Sequence, residues 1–198
     1  MTIADQIRCS IDDFEDKSKF ESALTHALTA VDGTASKLYP NMGNRKRYIR
    51  TLRDYYWIIE PAIGSINLKD TKFPIELKNQ SKTDLAEIIY EIFRCNHAHG
   101  SPHPNNFTFG IGIGHPFTMF TLDLENKRFT FPDRILPALW FVSVLSKVNK
   151  DQATNELQDY YLTLNDEKYY INELWGIDES FKSTAGKYNE TRVILNFD

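Results

Sequence analysis

Residues 82–100 read KTDLAEIIYEIFRCNHAHG, and this stretch decides the fold more than any other part of the chain. Ser81 and Asp84 form a start resembling a capping box, and Gly100 with Pro102 ends the run. The sequence therefore predicts a helix over about 82–98, the third in the chain. Its buried stripe is expected to consist of Leu85, Ile88, Ile89 and Ile92, because these residues recur at helical spacing.

Three further helices are predicted around this one, with approximate bounds of 16–31, 45–60 and 134–148. Asp32-Gly33 is expected to end the first helix, and Pro61 is expected to end or kink the second. Asp133 is expected to cap the last of the three, which is apolar nearly all round and is therefore predicted to lie centrally in the core. A short polar helix over about 151–160 is expected to follow it.

Alternating apolar and polar residues predict strands after the third helix, at 107–113, 117–124 and 128–131. A hairpin is expected at 161–164 and 169–171, and a final strand at 192–197. The fold class predicted is α+β, mainly α. We expect a single domain over 1–198, with a helical core at about 14–148 and a β-rich C-terminal extension at about 150–198.

Composition and charge limit the classes of function that the chain can have. The chain has 198 residues, 41% of them hydrophobic, which can build a full core. Its net charge of −4 predicts no general attraction to nucleic acid, so any phosphate binding must come from a local basic patch. Arg45, Lys46 and Arg47 form such a patch, with Arg50 and Arg53 after them. It is either a solvated helix face or a substrate-binding stripe.

The remaining general features predict a cytoplasmic protein without a membrane segment. Cys9 and Cys95 are the two cysteines, and neither belongs to a paired C-x-x-C motif. The N-terminus lacks the basic and apolar regions of a signal peptide. The longest apolar stretch, 138–145, is far shorter than the ~20 residues that span a bilayer.

The end of the third helix carries the chemical signal of the sequence. Residues 94–103 hold three of the five histidines, together with one arginine and one cysteine. One interpretation is structural, because cationic side chains favour the C-terminal end of a helix. A second is a metal site, although its candidate ligands lack paired spacing. Those ligands would be Cys95, His97, His99 and His103.

The third interpretation is RNA cleavage that needs no metal. An imidazole can accept the proton of a ribose 2′-hydroxyl, and a guanidinium can stabilise the charge that develops on the phosphorus centre. The product would be a 2′,3′-cyclic phosphate, and no cofactor is required. This hypothesis needs an arginine and a histidine close together on a rigid element. Asn96 could orient either group.

The sequence Arg94-Cys95-Asn96-His97-Ala98-His99 resembles the Arg-x4-His signature of HEPN-domain proteins. The resemblance implies a HEPN-like helical bundle core with added β-hairpins and a C-terminal strand. It also implies a homodimer, RNA as substrate, and a role as a toxin or in phage defence, with an antitoxin-type protein as a further partner. Arg94 and His99 would then be the catalytic pair, and Asn96 an auxiliary. The alternative is a non-catalytic interaction or dimerisation module of the same fold.

A looser resemblance covers more of the chain. The strings 85–90, 94–95 and 99–100, and later 171–176, are similar to small uncharacterised bacterial proteins of this kind.

The spacing of the motif restricts how its arginine and its last histidine can come together. Arg94 and His99 are five positions apart, so on an ideal α-helix they diverge by ~140°. They can converge at a distorted helix end, or they can serve one cleft from two protomers. Cys95 stands where Asn, Asp or His often follows the motif arginine, and Asn96 is displaced by one place. His97 replaces His99 in the hypothesis if the register of the helix differs, and otherwise joins Arg45, Lys46 and Arg47 in substrate binding.

Overall fold

A computed structural model describes the protein over residues 1–64, 66–75, 77, 82–98, 100–101, 104–110, 120–126, 128–164 and 167–185. Helices dominate and two small sheets accompany them, so the predicted α+β, mainly α class is confirmed. The first four helices, α1 to α4, are Ile3–Phe14, Phe20–Leu38, Asn44–Asp54 and Tyr56–Ala62.

The next helix is continuous from Leu85 to Ala98, and we call it the motif helix. It consists of α5 (Leu85–Ile88), a π-helical stretch (Ile89–Arg94) and α6 (Cys95–Ala98). The strands β1 to β3 and helix α7 follow, at Phe107–Gly110, Thr121–Asp123, Arg128–Pro132 and Ile135–Leu145. The later elements, β4, β5, α8 and α9, are Tyr161–Leu164, Glu167–Tyr170, Ile171–Leu174 and Asp178–Ala185.

Helix α1 is an element that the sequence analysis missed. Thr2 and Asp5 form a capping box, in which each side chain accepts the other residue's backbone N–H. Its buried face packs against α2. Ser10 of α1 donates a hydrogen bond to the Ala23 carbonyl of α2 and accepts one from Trp140 of α7. This buried network joins three helices of the core.

Helix α2 does not end at Asp32-Gly33, so that prediction is wrong. The helix continues to Leu38. Gly33 serves close packing here, because a Cβ at this position would lie only 3.1 Å from Cγ1 of Ile3 on α1. Asp32 remains helical and turns its carboxylate toward the motif helix.

The predicted helix over 45–60 is two helices. The chain breaks at Tyr55 between α3 and α4, and Pro61 lies inside α4, which ends one residue later. Pro61 terminates the helix later than predicted, because proline mainly removes its own N–H bond and the preceding turn is already formed.

The motif helix begins at Leu85 rather than Lys82. Asp84 is its N-cap, since the side chain accepts the backbone N–H of Glu87 at 3.1 Å. Ser81, the other member of the predicted capping box, lies outside the described residues. Gly100 has a φ of +64°, a left-handed conformation that suits glycine just after a helix.

The first sheet has the order β1-β3-β2, with β1 parallel and β2 antiparallel to β3. Its phenylalanines pack on the motif helix through Phe93, whose ring centroid lies 4.9 Å from that of Phe109 and 5.2 Å from that of Phe131. The predicted strands are confirmed in their described parts. Residues 111–119 lie outside those parts.

Helix α7 occupies the centre of the core, as its apolar sequence predicts. It packs against α2 and α4, and nine of its side chains are buried. Where the structure describes the chain, no helix has the length and apolar character that a membrane span requires.

The C-terminal part contains the predicted hairpin, in which Tyr161 pairs with Tyr170. The helix predicted over 151–160 is only a short 3-10 turn at Asn155–Leu157. Helices α8 and α9 were not predicted and make this part less β-rich than expected. The predicted strand at 192–197 lies outside the described residues.

Candidate functional site

The motif helix faces α2 across a small cavity, which we call the motif groove. Its volume is about 90 Å³. Two of the lining residues, Arg94 and His97, belong to the motif helix and lie three positions apart, on one helical face. The α2 side of the groove consists of Thr25, Leu28, Thr29 and Asp32.

Arg94 is held in a fixed position in the groove. Its Nη2 donates to Oδ2 of Asp32 at 2.8 Å, and its guanidinium carbon lies 5.5 Å from the centre of the Tyr90 ring. Burial lowers the pKa of Arg94, but the hydrogen bond and charge of Asp32 outweigh this and raise the pKa above its ordinary value. The guanidinium therefore stays charged, and its other N–H groups remain for a further acceptor.

His97 turns both ring nitrogens toward α2. Nδ1 is 2.6 Å from the Thr25 hydroxyl, and Nε2 is 3.2 Å from a carboxylate oxygen of Glu21. The Thr25 hydroxyl also donates to the Glu21 carbonyl, so His97, Thr25 and Glu21 form one connected polar cluster. Because its side chain is only 13% exposed and is committed to α2, His97 positions the helix end.

Asp32 forms the polar floor of the motif groove. Its Oδ1 is buried and accepts no hydrogen bond within the described part of the chain. Tyr48 of α3 is fully buried beside it, and burial together with the charge of Asp32 raises the pKa of Tyr48 well above its ordinary value. Tyr48 is therefore neutral and supports the groove by packing against Tyr90, with ring centroids 5.4 Å apart.

The other residues of the predicted site are distributed differently. His99 and His103 lie outside the described residues. Asn96 does not line the motif groove, and its backbone carbonyl accepts the N–H of Ser101 at 2.9 Å. Cys95 is a half-buried free thiol. In the part of the chain that the structure describes, no three metal-binding side chains cluster.

The motif helix is distorted, but the distortion precedes the predicted pair. The π-helical stretch ends at Arg94, and α-helix resumes at Cys95. Stretches of this kind are frequent at functional sites. Here the extra turn width sets the direction of Arg94. It does not lie between Arg94 and the position of His99, so it supplies only part of the geometry that the spacing demands.

The basic patch is partly neutralised by the motif helix. Arg45 Nε donates to Glu91 at 2.7 Å, and its Nη2 lies 3.6 Å from Glu87. Lys46 is exposed, while Nε of Arg47 is buried without a hydrogen-bond partner among the described residues. Arg45 thus contacts the motif helix one turn before Arg94, and the patch is not a continuous exposed stripe.

A second and larger cavity, of about 540 Å³, was not predicted. We call it the charged cavity. It lies between α3, α4, the segment that follows α4 and the start of the motif helix. Its lining residues are Arg53, Asp54, Tyr56, Trp57, Glu60, Lys69, Lys72 and Asp84.

One sequence signal could have revealed the α2 side of the motif groove. Glu21, Thr25, Leu28 and Asp32 recur at three- or four-residue spacing, which places them on one face of α2. The stripe was missed because the first helix was expected to end at Asp32. The charged cavity has no comparable signal, since its residues come from distant parts of the sequence.

Comparisons with known proteins give matches that extend over almost the whole chain. Residues 2–198 match the model of the Rv1289 family. Similar relatives include the uncharacterised proteins Rv1289 of Mycobacterium tuberculosis and Mb1320 of Mycobacterium bovis, each 26% identical over 190 residues. The matched region covers 92% of this chain and 87% of each relative. No solved structure matches the chain. Since the match extends over nearly its full length, the chain belongs to the Rv1289 family.

Proposed function

We propose that the protein is a HEPN-like endoribonuclease that cleaves RNA without a metal ion. The observation that carries the proposal is the fixed guanidinium of Arg94, held by Asp32 in the motif groove where the π-helical stretch of the motif helix ends. Arg94 and His99 are the catalytic pair by the motif, and Asn96 is the auxiliary. His97 has a positioning role, because its nitrogens are engaged with α2.

The proposed reaction is balanced without a metal or a cofactor. His99 takes the proton of a ribose 2′-hydroxyl, and the 2′-oxygen bonds to the adjacent phosphorus. The bond from phosphorus to the 5′-oxygen breaks, that oxygen takes a proton from water, and His99 returns the proton it accepted to the solvent. The guanidinium of Arg94 donates hydrogen bonds to the phosphoryl oxygens as their charge grows. The products are a 2′,3′-cyclic phosphate and a 5′-hydroxyl.

Asp32 prepares Arg94 for this role. A guanidinium has five N–H donors, and the ion pair occupies a donor at Nη2 while fixing the plane of the group. Donors that are already oriented need no reorganisation when the charge develops. The ion pair therefore supports catalysis by holding Arg94 in place.

The motif groove alone is too small for an RNA strand. Its volume of about 90 Å³ is well below the ~300–1,000 Å³ of ordinary ligand sites. The proposal therefore includes a homodimer, in which a second motif helix completes the cleft. An antitoxin-type protein that covers the same surface is part of the proposal.

The test is cleavage of a single-stranded RNA in the presence of EDTA. We expect the wild type to produce fragments ending in a 2′,3′-cyclic phosphate, and Arg94→Ala and His99→Ala to lose about 10²–10⁴-fold in rate. Arg128→Ala and His26→Ala are matched controls, since these side chains lie outside the groove. Cleavage by all variants at the wild-type rate, or by none including the wild type, contradicts the proposal.

The dimer is tested by mixing inactive variants. If one cleft uses Arg94 and His99 from different protomers, a mixture of Arg94→Ala and His99→Ala proteins regains activity. Light scattering reports the oligomeric state of each sample. A monomer that cleaves RNA, or a mixture as inactive as its components, contradicts the composite cleft. Neither result decides whether the protein is a nuclease, which the cleavage assay tests by itself.

A second candidate is a non-catalytic interaction module of the same fold. The observation that favours it is that Arg94 and His97 both bind side chains of α2, as residues that only fix a helix end would do. This candidate is preferred if RNA is not cleaved and Arg94→Ala and His97→Ala each lower the melting temperature markedly.

A further inference from the structure

The charged cavity brings two cations to a single point. Arg53 donates through Nε and Nη2 to Oδ2 of Asp84, at 3.0 and 2.6 Å, and Lys72 Nζ lies 3.0 Å from the same oxygen. Asp84 is nearly buried, whereas Arg53 and Lys72 remain about half exposed. Two positive groups therefore converge on one carboxylate oxygen and still present donors to the cavity.

The cavity lining holds three cations and three carboxylates, Asp54, Glu60 and Asp84, but Glu60 and Asp84 are buried whereas the three cations are exposed. Glu87, the next carboxylate along the motif helix, is shared by Arg53 and Arg45 at 3.5 and 3.6 Å. Asp54 accepts from the Tyr39 hydroxyl and lies 3.9 Å from Arg50. Lys69 is exposed and makes no ion pair within the described ranges. An anion that approaches Lys69 and Lys72 would therefore meet exposed cations before it reaches the buried carboxylates.

Aromatic side chains form the other wall. Trp57 is half-buried and lines the cavity beside Tyr56. The Tyr56 hydroxyl accepts the backbone N–H of Ala86 at 2.9 Å, which fixes the ring at the start of the motif helix. An indole face is the surface on which nucleic acid bases stack, whatever their identity. The volume of about 540 Å³ is typical of a small-ligand site.

We propose that the charged cavity binds a nucleoside monophosphate, either free or as one unit of a single RNA strand. The base stacks on Trp57, and the phosphate binds Lys69, Lys72 and the donors of Arg53 that Asp84 leaves available. Asp84 positions the two cations and repels a phosphate that moves deeper. The site is separate from the motif groove, so the inference does not depend on the proposed nuclease.

The test is titration of the wild-type protein with AMP, UMP, adenosine, inorganic phosphate and a short single-stranded RNA. Trp140 and Trp175 are buried, at 3% and 5% exposure, so quenching of tryptophan fluorescence reports chiefly on Trp57. We expect saturable quenching and a rise in melting temperature with both nucleotides. Adenosine and phosphate alone should bind about tenfold or more weakly, since each makes half of the contacts.

Lysine variants locate the binding. Lys69→Gln and Lys72→Gln should each weaken AMP binding about tenfold. Lys17→Gln should not, since Lys17 is an exposed lysine in the 3-10 turn before α2 and does not line the cavity. Lys69→Gln is the decisive variant because, among the residues that the structure describes, the Lys69 side chain has no ion-pair partner to lose. Unchanged affinity in both cavity variants overturns the proposal, as does wild-type protein that binds neither nucleotides nor RNA.

Titration with the single-stranded RNA distinguishes the two sources of the ligand. Binding of RNA but not of AMP, lost in Lys69→Gln, identifies a subsite for the strand, whereas equal binding of AMP identifies a site for free nucleotides. Phosphate binding as tightly as AMP overturns the role of Trp57. Arg94→Ala, which should abolish cleavage, should bind AMP as the wild type does, so the two proposals can fail independently.

Discussion

Asp32 shows how one residue can have a different role from the one its neighbours suggest. Beside Gly33 it reads as the end of a helix, yet it lies inside α2 and holds Arg94 at 2.8 Å. The two side chains are 24% and 21% exposed, so the pair is shielded from water more than an ordinary surface ion pair. Its contribution to stability should accordingly exceed the ~0.2–1 kcal/mol of an exposed pair.

We expect Asp32→Asn to lower the free energy of unfolding by about 1–2 kcal/mol, because Arg94 loses a charged acceptor in a partly buried place. A double-mutant cycle with Arg94→Met, followed by urea unfolding, isolates the pair. The Arg50–Asp54 pair is the comparison, since it is about half exposed and 3.9 Å long, and its coupling should be about 0.3–0.5 kcal/mol. Equal coupling energies in the two cycles would show that the Asp32–Arg94 pair stabilises the fold no more than an exposed ion pair does.

At the scale of elements, the motif helix owes its start to Asp84. The side chain caps the helix through the Glu87 N–H and also binds Arg53 and Lys72. Burial alone would raise the pKa of Asp84, but the bonds from Lys72, the Glu87 N–H and Arg53 outweigh it and hold the pKa below 3.8. The folded state therefore binds this proton more weakly than the unfolded state does.

This depressed pKa predicts how stability depends on pH. The charge of Asp84 stabilises the fold fully above the unfolded pKa, near 3.8, and the contribution is lost as pH falls through the lower folded pKa. Asp84→Asn keeps a good cap but loses the charge, so it should cost about 1–3 kcal/mol at pH 7. Urea unfolding at pH 7, 5 and 3 should show that difference shrinking only in the most acidic samples. A constant difference across this range would contradict the role of the charge.

Sequence reasoning succeeded for elements whose signal is local. The apolar stripe beginning at Leu85 predicted the motif helix, and the alternation near Tyr161 predicted the hairpin. It failed where a residue distant in the sequence determines whether a helix continues or which side chains meet. Gly33 continues a helix because Ile3 packs on it, and the break at Tyr55 has no local breaker residue. Likewise Arg94 and His97 were identified from the motif, but Asp32 and Glu21 become partners only through the packing of α2.

At the scale of the whole molecule, Gly176 joins the C-terminal part to the helical core. Its N–H donates to the Val144 carbonyl at the end of α7, at 2.9 Å. Its φ is +78°, and a Cβ there would lie 2.6 Å from Cβ and 2.9 Å from Cα of Lys150. The second contact is with backbone, which cannot move aside without shifting the chain.

We expect Gly176→Ala to lower the free energy of unfolding by about 1–3 kcal/mol more than Gly100→Ala does, because overpacking adds to the left-handed strain. Gly100 is the matched control, since its φ is +64° but no atom of the described residues lies within 4 Å of a Cβ built there. Thermal and urea unfolding of the two variants provide the comparison. Equal losses would mean that the contact with Lys150 relaxes freely.

The π-helical stretch has a consequence for how this chain tolerates insertion and deletion. A π-turn contains one residue more than the α-turn it replaces, so it acts as a one-residue insertion between Leu85 and Arg94. Removing a single residue there would close the π-turn into an uninterrupted α-helix and leave the residues after it facing α2, whereas a second deletion would rotate them by about 100° relative to the buried stripe. Arg94 and His97 would leave α2 only after that second deletion, although neither residue had changed. The length of the helix before the motif is thus as much a part of the site as the side chains themselves.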